Sequence, residues 1–134
     1  MLEGINDLGM LTHAGPVPQA AHDAEVASLI GAYRQIIERA HAHGLKAIGG
    51  TLTPFVGSDF YHPDAANEAD RQAVNAWTRA PGHFDAVVDF DAAVRDPAHP
   101  DRLASTYDSG DHLHPSPEGY RAMARAVPLQ LFDR

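Results

Sequence analysis

Gly44-Leu45-Lys46-Ala47-Ile48-Gly49-Gly50-Thr51-Leu52-Thr53-Pro54 is the stretch on which the fold turns. Gly44 reads as a left-handed cap closing a helix, and Leu45 to Leu52 as a short strand interrupted by Gly49-Gly50. Thr53-Pro54 ends that strand. Upstream, Val26, Leu29, Ile30, Tyr33, Ile36, Ile37 and Ala40 recur at the spacing of one helical face, which predicts a helix from about Asp23 to His43 with that face buried. His41 and His43 fall in its last turn, where a cation meets the helix dipole favourably, and read as a solvated pair. Thr12 to Gln19 is loop by composition. Met1 to Asp7 reads as a strand end running into a Gly/Asn/Asp turn.

Downstream, Asp64 is placed to cap a second helix, Ala65 to about Thr78, with Ala69, Ala73, Val74 and Trp77 on its apolar side. Pro81-Gly82 breaks it. Asp85-Ala86-Val87-Val88-Asp89-Phe90 is a strand with a continuous apolar centre, as in a parallel sheet covered on both faces. Asp91 to Ser116 is mostly irregular. Ser116-Pro117-Glu118 then combines a cap, a first-turn proline and an acid at the positive dipole end. Tyr120, Met123, Ala124, Val127 and Leu131 form the predicted buried stripe of the last helix, which Pro128 kinks or ends. Strands alternating with helices predict βαβ units in an α/β layer fold, one domain over 1–134 without internal repeats.

Composition narrows the function. The chain has 134 residues, 18 acidic against 10 basic, and a formal net charge of −8. The scattered basic residues argue against a nucleic-acid footprint. No apolar run approaches the ~20 residues a membrane-spanning helix needs, and Met1 to Asp7 lacks the features of a signal peptide. The absence of cysteine excludes disulfides, thiol catalysis and cysteine-ligated metals.

Two patches carry candidate chemistry: Gly4-Ile5-Asn6-Asp7 at a strand's carboxyl end, and Asp111-His112-Leu113-His114-Pro115 before the last helix. Sites in open α/β sheets form outside the carboxyl ends of strands. An acid three residues before a histidine can take the imidazole Nδ1 proton in a hydrogen bond and leave Nε2 as a general base. The Asn6 amide is a neutral donor suited to a developing oxyanion. Plainer roles stay open: Asn6-Asp7 as a turn or cap, and His114 as a loop histidine held by a local acid. His112 and His114 with Asp108 and Asp111 have metal-ligand chemistry, but no third distant ligand is evident, and no metal or cofactor is expected. Among the loop aromatics, Phe55, Phe60 and Tyr61 are candidates to line an acyl or alcohol pocket, whereas Tyr33 and Trp77 fit helix core positions.

Gly4-x-Asn6-Asp7 followed by Asp111-x-x-His114-Pro115 resembles the third and fifth blocks of the SGNH (GDSL-type) hydrolases. The flanks agree: Leu2-Glu3-Gly4-Ile5-Asn6-Asp7-Leu8-Gly9, Thr51-Leu52-Thr53-Pro54-Phe55, and Tyr107-Asp108-Ser109-Gly110 leading into Asp111. The resemblance implies a flavodoxin-like three-layer sandwich and acyl-ester hydrolysis by a Ser-His-Asp triad. Carried over, Asn6 is the oxyanion donor, His114 the base and Asp111 its orienting acid; Asp7 and Gly4 read as turn formers rather than chemistry, with Gly4 bordering the substrate site. The implied substrate is a small ester, an acetylated sugar among the candidates.

The family's nucleophile lies in a Gly-Asp-Ser block upstream of Gly-x-Asn-Asp, and here only five residues precede Asn6. None of the five serines (Ser28, Ser58, Ser105, Ser109, Ser116) sits in such a block. The expectation is therefore the C-terminal portion of an esterase, without the family's N-terminal strands, that takes its nucleophile from elsewhere or uses Ser109 or Ser58. The alternative is an inactive fragment or binding module. An edge left bare before Asn6 would favour homo-oligomers. Location stays open, with a secreted or periplasmic full-length form as one expectation.

Overall fold

The computed structural model describes residues 1–132. Its elements are α1 (Ile5–Thr12), α2 (Gln19–Ala42), β1 (Ile48–Gly50), α3 (Ala65–Arg79), β2 (Ala86–Val88), α4 (Phe90–Val94) and α5 (Pro117–Arg125), followed by a 3-10 turn at Leu129–Phe132. β1 and β2 pair in parallel, Ile48 opposite Ala86 and Gly50 opposite Val88, with α3 as the crossover. The chain is thus mixed α/β, with helices packed around a parallel sheet.

Where the signals were local, the elements form as expected. Gly44 adopts φ 68 and the Leu45 N–H reaches back to the Ala40 carbonyl at 2.9 Å, which closes α2 with a glycine cap. The Asp64 carboxylate accepts from the Ala66 and Asn67 N–H groups, and the Asn67 side chain returns a bond to the Asp64 N–H, a reciprocal capping box. The Ser116 hydroxyl accepts from the Gly119 N–H at the start of α5, which ends at Arg125, before Pro128. Gly49 interrupts no pairing. A Cβ there would come within 2.5 Å of the Phe84 ring, so the glycine lets that ring lie against the sheet.

Other expectations fail for tertiary reasons. The strand end expected over Met1 to Asp7 survives only at Met1, which runs alongside β1: its amino group donates to the Ile48 carbonyl and its carbonyl accepts from the Gly50 N–H at 2.7 Å. The turn expected after it is instead the start of α1, with Gly4 as its N-cap at φ 124. The interval after Asp89 contains α4 rather than being irregular throughout. Ile36 and Tyr120, placed on buried faces by periodicity, are about half exposed, and α5 buries only Gly119 among its own residues.

The largest departure is α3. Ala69 and Ala73 face solvent, and its buried side is Asn67, Asp70, Arg71, Val74, Asn75 and Thr78. Backbone bookkeeping explains the Asn75 and Arg71 part of this polar face. In a strand, N–H groups two residues apart face the same neighbour. The Gly50 N–H is taken by Met1, but the chain leaves the sheet for α1 before it can meet Leu52. Asn75 completes the ladder: its Oδ1 accepts from the Leu52 N–H at 2.6 Å and its Nδ2 donates to the Leu52 carbonyl at 2.9 Å. Arg71, fully buried, donates to the same carbonyl and to Asp91 at 2.8 Å each, and clamps Glu68 in a two-pronged bond. Asn67 reaches the Leu8 carbonyl of α1 at 2.9 Å, and Asp70 pairs with buried His22 of α2.

Candidate active site

Asn6 is placed by Gly4 and Glu3 just before it and by α2. Gly4 supplies the positive φ from which α1 starts, and its carbonyl accepts from the Leu8 N–H at 3.0 Å. The buried Tyr33 hydroxyl donates to the Glu3 carbonyl, pinning the approach to the helix. Burial first, and the nearby Asp7 and Glu3 charges second, push the Tyr33 phenol up to about 12, so it remains a donor. Asn6 itself is exposed in the first turn of α1. Its Oδ1 accepts from the Tyr61 hydroxyl at 2.8 Å.

The second part of the site is a looped segment closed by backbone. Asp108 bridges Pro115, the Ser109 N–H donates to the His114 carbonyl at 3.0 Å, and the Ser116 N–H to Tyr107 at 2.7 Å. Two carboxylates organise its interior. Asp111 Oδ1 accepts from the Leu113 N–H, the His114 N–H and the Ser109 hydroxyl at 3.0, 2.8 and 2.9 Å, while Oδ2 meets His114 Nδ1 at 2.6 Å. Asp108 does the same one step earlier: it accepts from the Gly110 and His112 N–H groups and meets His112 Nδ1 at 2.5 Å. The bond to His114, with its backbone N–H next, holds the Asp111 carboxyl well below the usual carboxylate range against the opposing effect of burial, and the Leu113 N–H and Ser109 hydroxyl add to the lowering. An ionised carboxylate only accepts, so His114 Nδ1 carries the hydrogen of this bond, and in the neutral ring Nε2 is then the nitrogen with the lone pair. That nitrogen has no hydrogen-bond partner among the described residues.

Asn6 and His114 meet at two adjoining cavities that both of them line, together with Leu113. One, of about 200 Å³, is completed by Gly4, Ile5, Leu52, Tyr120 and Met123 among others. The other, of about 530 Å³, is completed by Asp59, Phe60, Tyr61 and Asp111. The arrangement offers a general base held by an acid and an amide beside a half-apolar recess. His114 and Asp111 are about half exposed or more, which leaves the base accessible.

The remaining candidates fall elsewhere. Phe55 is fully buried in the core, edge-on to Tyr61, and lines neither cavity. Tyr61 is 5% exposed, whereas Phe60 is 57% exposed and forms part of the larger cavity's wall. Ser109 is bonded to Asp111 rather than to His114 Nε2. Ser58 is buried, its hydroxyl accepting from the Phe60 and Tyr61 N–H groups at 3.3 Å, a turn-forming role. Among the described residues no three metal-ligating side chains converge; His112 and His114 each turn to their own aspartate. The Tyr61–Asn6 bond was invisible in sequence, since it joins residues 55 apart.

Comparison with solved structures finds the same architecture in a candidate acylhydrolase from Bacteroides fragilis NCTC 9343, at 22% identity and a TM-score of 0.55. The alignment covers 90% of this chain and 54% of that protein, so the chain spans about half the length of its structural neighbour. Identity at this level carries the fold alone. No curated protein matches the sequence. Residues 1–122 match the model of the GDSL-like lipase/acylhydrolase family, and the chain belongs to that family.

Proposed function

We propose that the chain carries the base, the orienting acid and the oxyanion donor of an acyl-ester hydrolase: His114, Asp111 and Asn6. The observation that carries this reading is the Asp111–His114 bond at 2.6 Å, with Nε2 unpartnered, at cavities that Asn6 also lines. In the proposed reaction a serine hydroxyl gives its proton to His114 Nε2 as its oxygen adds to the ester carbonyl. The Asn6 amide donates to the resulting oxyanion. The proton passes to the departing alkoxide, and a water activated the same way releases the acid. Small esters suit recesses of this size, an acetylated sugar among them.

Ser109 and Ser58 are held in other bonds, so the serine in this proposal comes from a segment or second chain that docks beside His114. Turnover of p-nitrophenyl acetate that disappears in His114→Ala supports the reading; equal background rates in both overturn it for this chain alone. Labelling with a fluorophosphonate, followed by mass spectrometry, locates the nucleophile. Those same bonds of Ser109 and Ser58 favour a second reading, a binding module that retains the fold without acyl transfer. Saturable ester binding without turnover would select it.

We also infer self-association along Met1 and Leu2. They border an apolar groove completed by Val127 and Leu131, with Leu129 and Phe132 largely exposed nearby. Sedimentation at micromolar concentration checks this, and a monomer throughout would sink it.

A further inference from the structure

We infer that Tyr61 is a positioning residue for Asn6, fixing which end of the Asn6 amide is available to a substrate. This rests on the role proposed for Asn6 above. A primary amide has two ends of similar size and opposite polarity, and rotation about the last side-chain bond exchanges them. Only the Nδ2 end can donate to a developing oxyanion; the Oδ1 end in the same place would repel it. The orientation of that amide therefore decides whether Asn6 assists or obstructs.

Asn6 sits exposed in the first turn of α1, and its one side-chain hydrogen bond among the described residues comes from Tyr61. The phenol donates to Oδ1 at 2.8 Å. Turning the amide over would exchange this bond for an Nδ2 donation to the phenol oxygen, and the phenol hydrogen, whose one acceptor among the described residues is Asn6 Oδ1, would lose its partner. Donation to Oδ1 also polarises the amide, which strengthens the Nδ2 hydrogens as donors.

A second observation shows that the fold makes room for this bond. The Tyr61 ring lies across α1 at Gly9, one helical turn beyond Asn6. A Cβ at Gly9 would fall 2.4 Å from the ring's Cγ, a distance no side chain tolerates. Glycine inside a helix weakens it relative to alanine, so α1 carries a cost whose return is the seating of this ring. From the other side, the ring is held edge-on by Phe55 and Phe60, and the Tyr61 N–H is anchored to the Ser58 hydroxyl. Ser58 and Gly9 thus both serve the placement of one hydroxyl.

The test uses Tyr61→Phe, which keeps the ring and removes the hydroxyl, beside Gly9→Ala, Asn6→Ala and the Tyr61→Phe/Asn6→Ala pair. The first readout is the Asn6 side-chain NH₂ signal in a nitrogen-15 NMR spectrum, assigned by its loss in Asn6→Ala. Tyr61→Phe and Gly9→Ala should each shift or broaden that signal while the backbone pattern away from the site stays in place. The second readout is p-nitrophenyl acetate hydrolysis by the assembly that turns it over. There, Asn6→Ala should lower kcat about a hundredfold and Tyr61→Phe about tenfold with KM unchanged. The double variant should be no slower than Asn6→Ala. An unchanged NH₂ signal in Tyr61→Phe, or kcat losses that multiply in the double variant, overturns the inference. Absence of turnover in the parent protein counts against the hydrolase reading for this chain alone, and the NMR result then decides the role of Tyr61.

Discussion

The buried face of α3 and the exposed loop from Asp108 to His114 are built from the same bond, a charged donor or imidazole against a carboxylate, yet they serve opposite ends. Arg71 and Asp91 are fully buried, and every polar hydrogen and lone pair they bring must be answered inside the protein. Asp91 accordingly also takes Arg79 at 2.6 Å and Arg95 at 3.1 Å, and Arg71 takes Glu68 and the Leu52 carbonyl. Asp111 and His114 face water, so their bond contributes little to stability and leaves one ring nitrogen for chemistry. Burial turns the first pair into a brace; exposure makes the second a tool.

That contrast breaks if the two regions respond alike to mutation. The largest expected effect is Asp91→Ala, which removes one of the two carboxylates on the buried Arg71 guanidinium, leaving Glu68 alone, and takes from Arg79 and Arg95 the buried carboxylate they share. Destabilisation of about 3–5 kcal/mol should lower Tm by about 10 °C or more in a thermal melt. Next is Asn75→Ala, which leaves the Leu52 N–H without its partner at a loss of about 2–3 kcal/mol, read from the denaturant midpoint. At the rim of the same network, Asp89 adds a pH signature. Burial disfavours its charge, but the Arg79 bond, the Ala92 N–H and the Thr51 hydroxyl outweigh that and pull its carboxyl down to about 2. Against an unfolded value of about 3.9, its contribution is complete above about pH 4 and is lost as pH falls toward 2. Asp89→Asn should therefore flatten the loss of stability over that interval. In the loop, His114→Ala should move Tm by less than about 2 °C while removing all ester turnover above background. Smallest of all, Glu118→Gln removes an exposed pair with Arg121 on α5 and should leave the melt unchanged.

Legibility followed the range of the interactions. The glycine cap at Gly44, the capping box at Asp64 and the Ser116-Pro117 helix start each depend on atoms within a few residues, and the structure contains all of them. The Asp111–His114 bond likewise spans three residues and was readable as a spacing. The α3 face was not, because Asn75 and Arg71 are buried by a need that arises in another element: the ladder groups of Leu52, which the departing Met1 segment leaves unmet. Nor did periodicity foresee the exposure of Ile36 and Tyr120, since it shows which residues share a face and not whether anything covers that face.

What the amino-acid sequence by itself determined about this protein is therefore the alternation of its elements, their caps, and an acid–histidine pair bound by short-range geometry. Tertiary structure alone decided which polar side chains became core. It also brought residues 6, 61 and 114 together around one pair of cavities and chose the Tyr61 hydroxyl, rather than solvent, as the partner of Asn6. The reason is physical. Local conformation is fixed by near neighbours, but burial and hydrogen-bond partnership depend on which distant backbone groups the packed chain leaves to be satisfied.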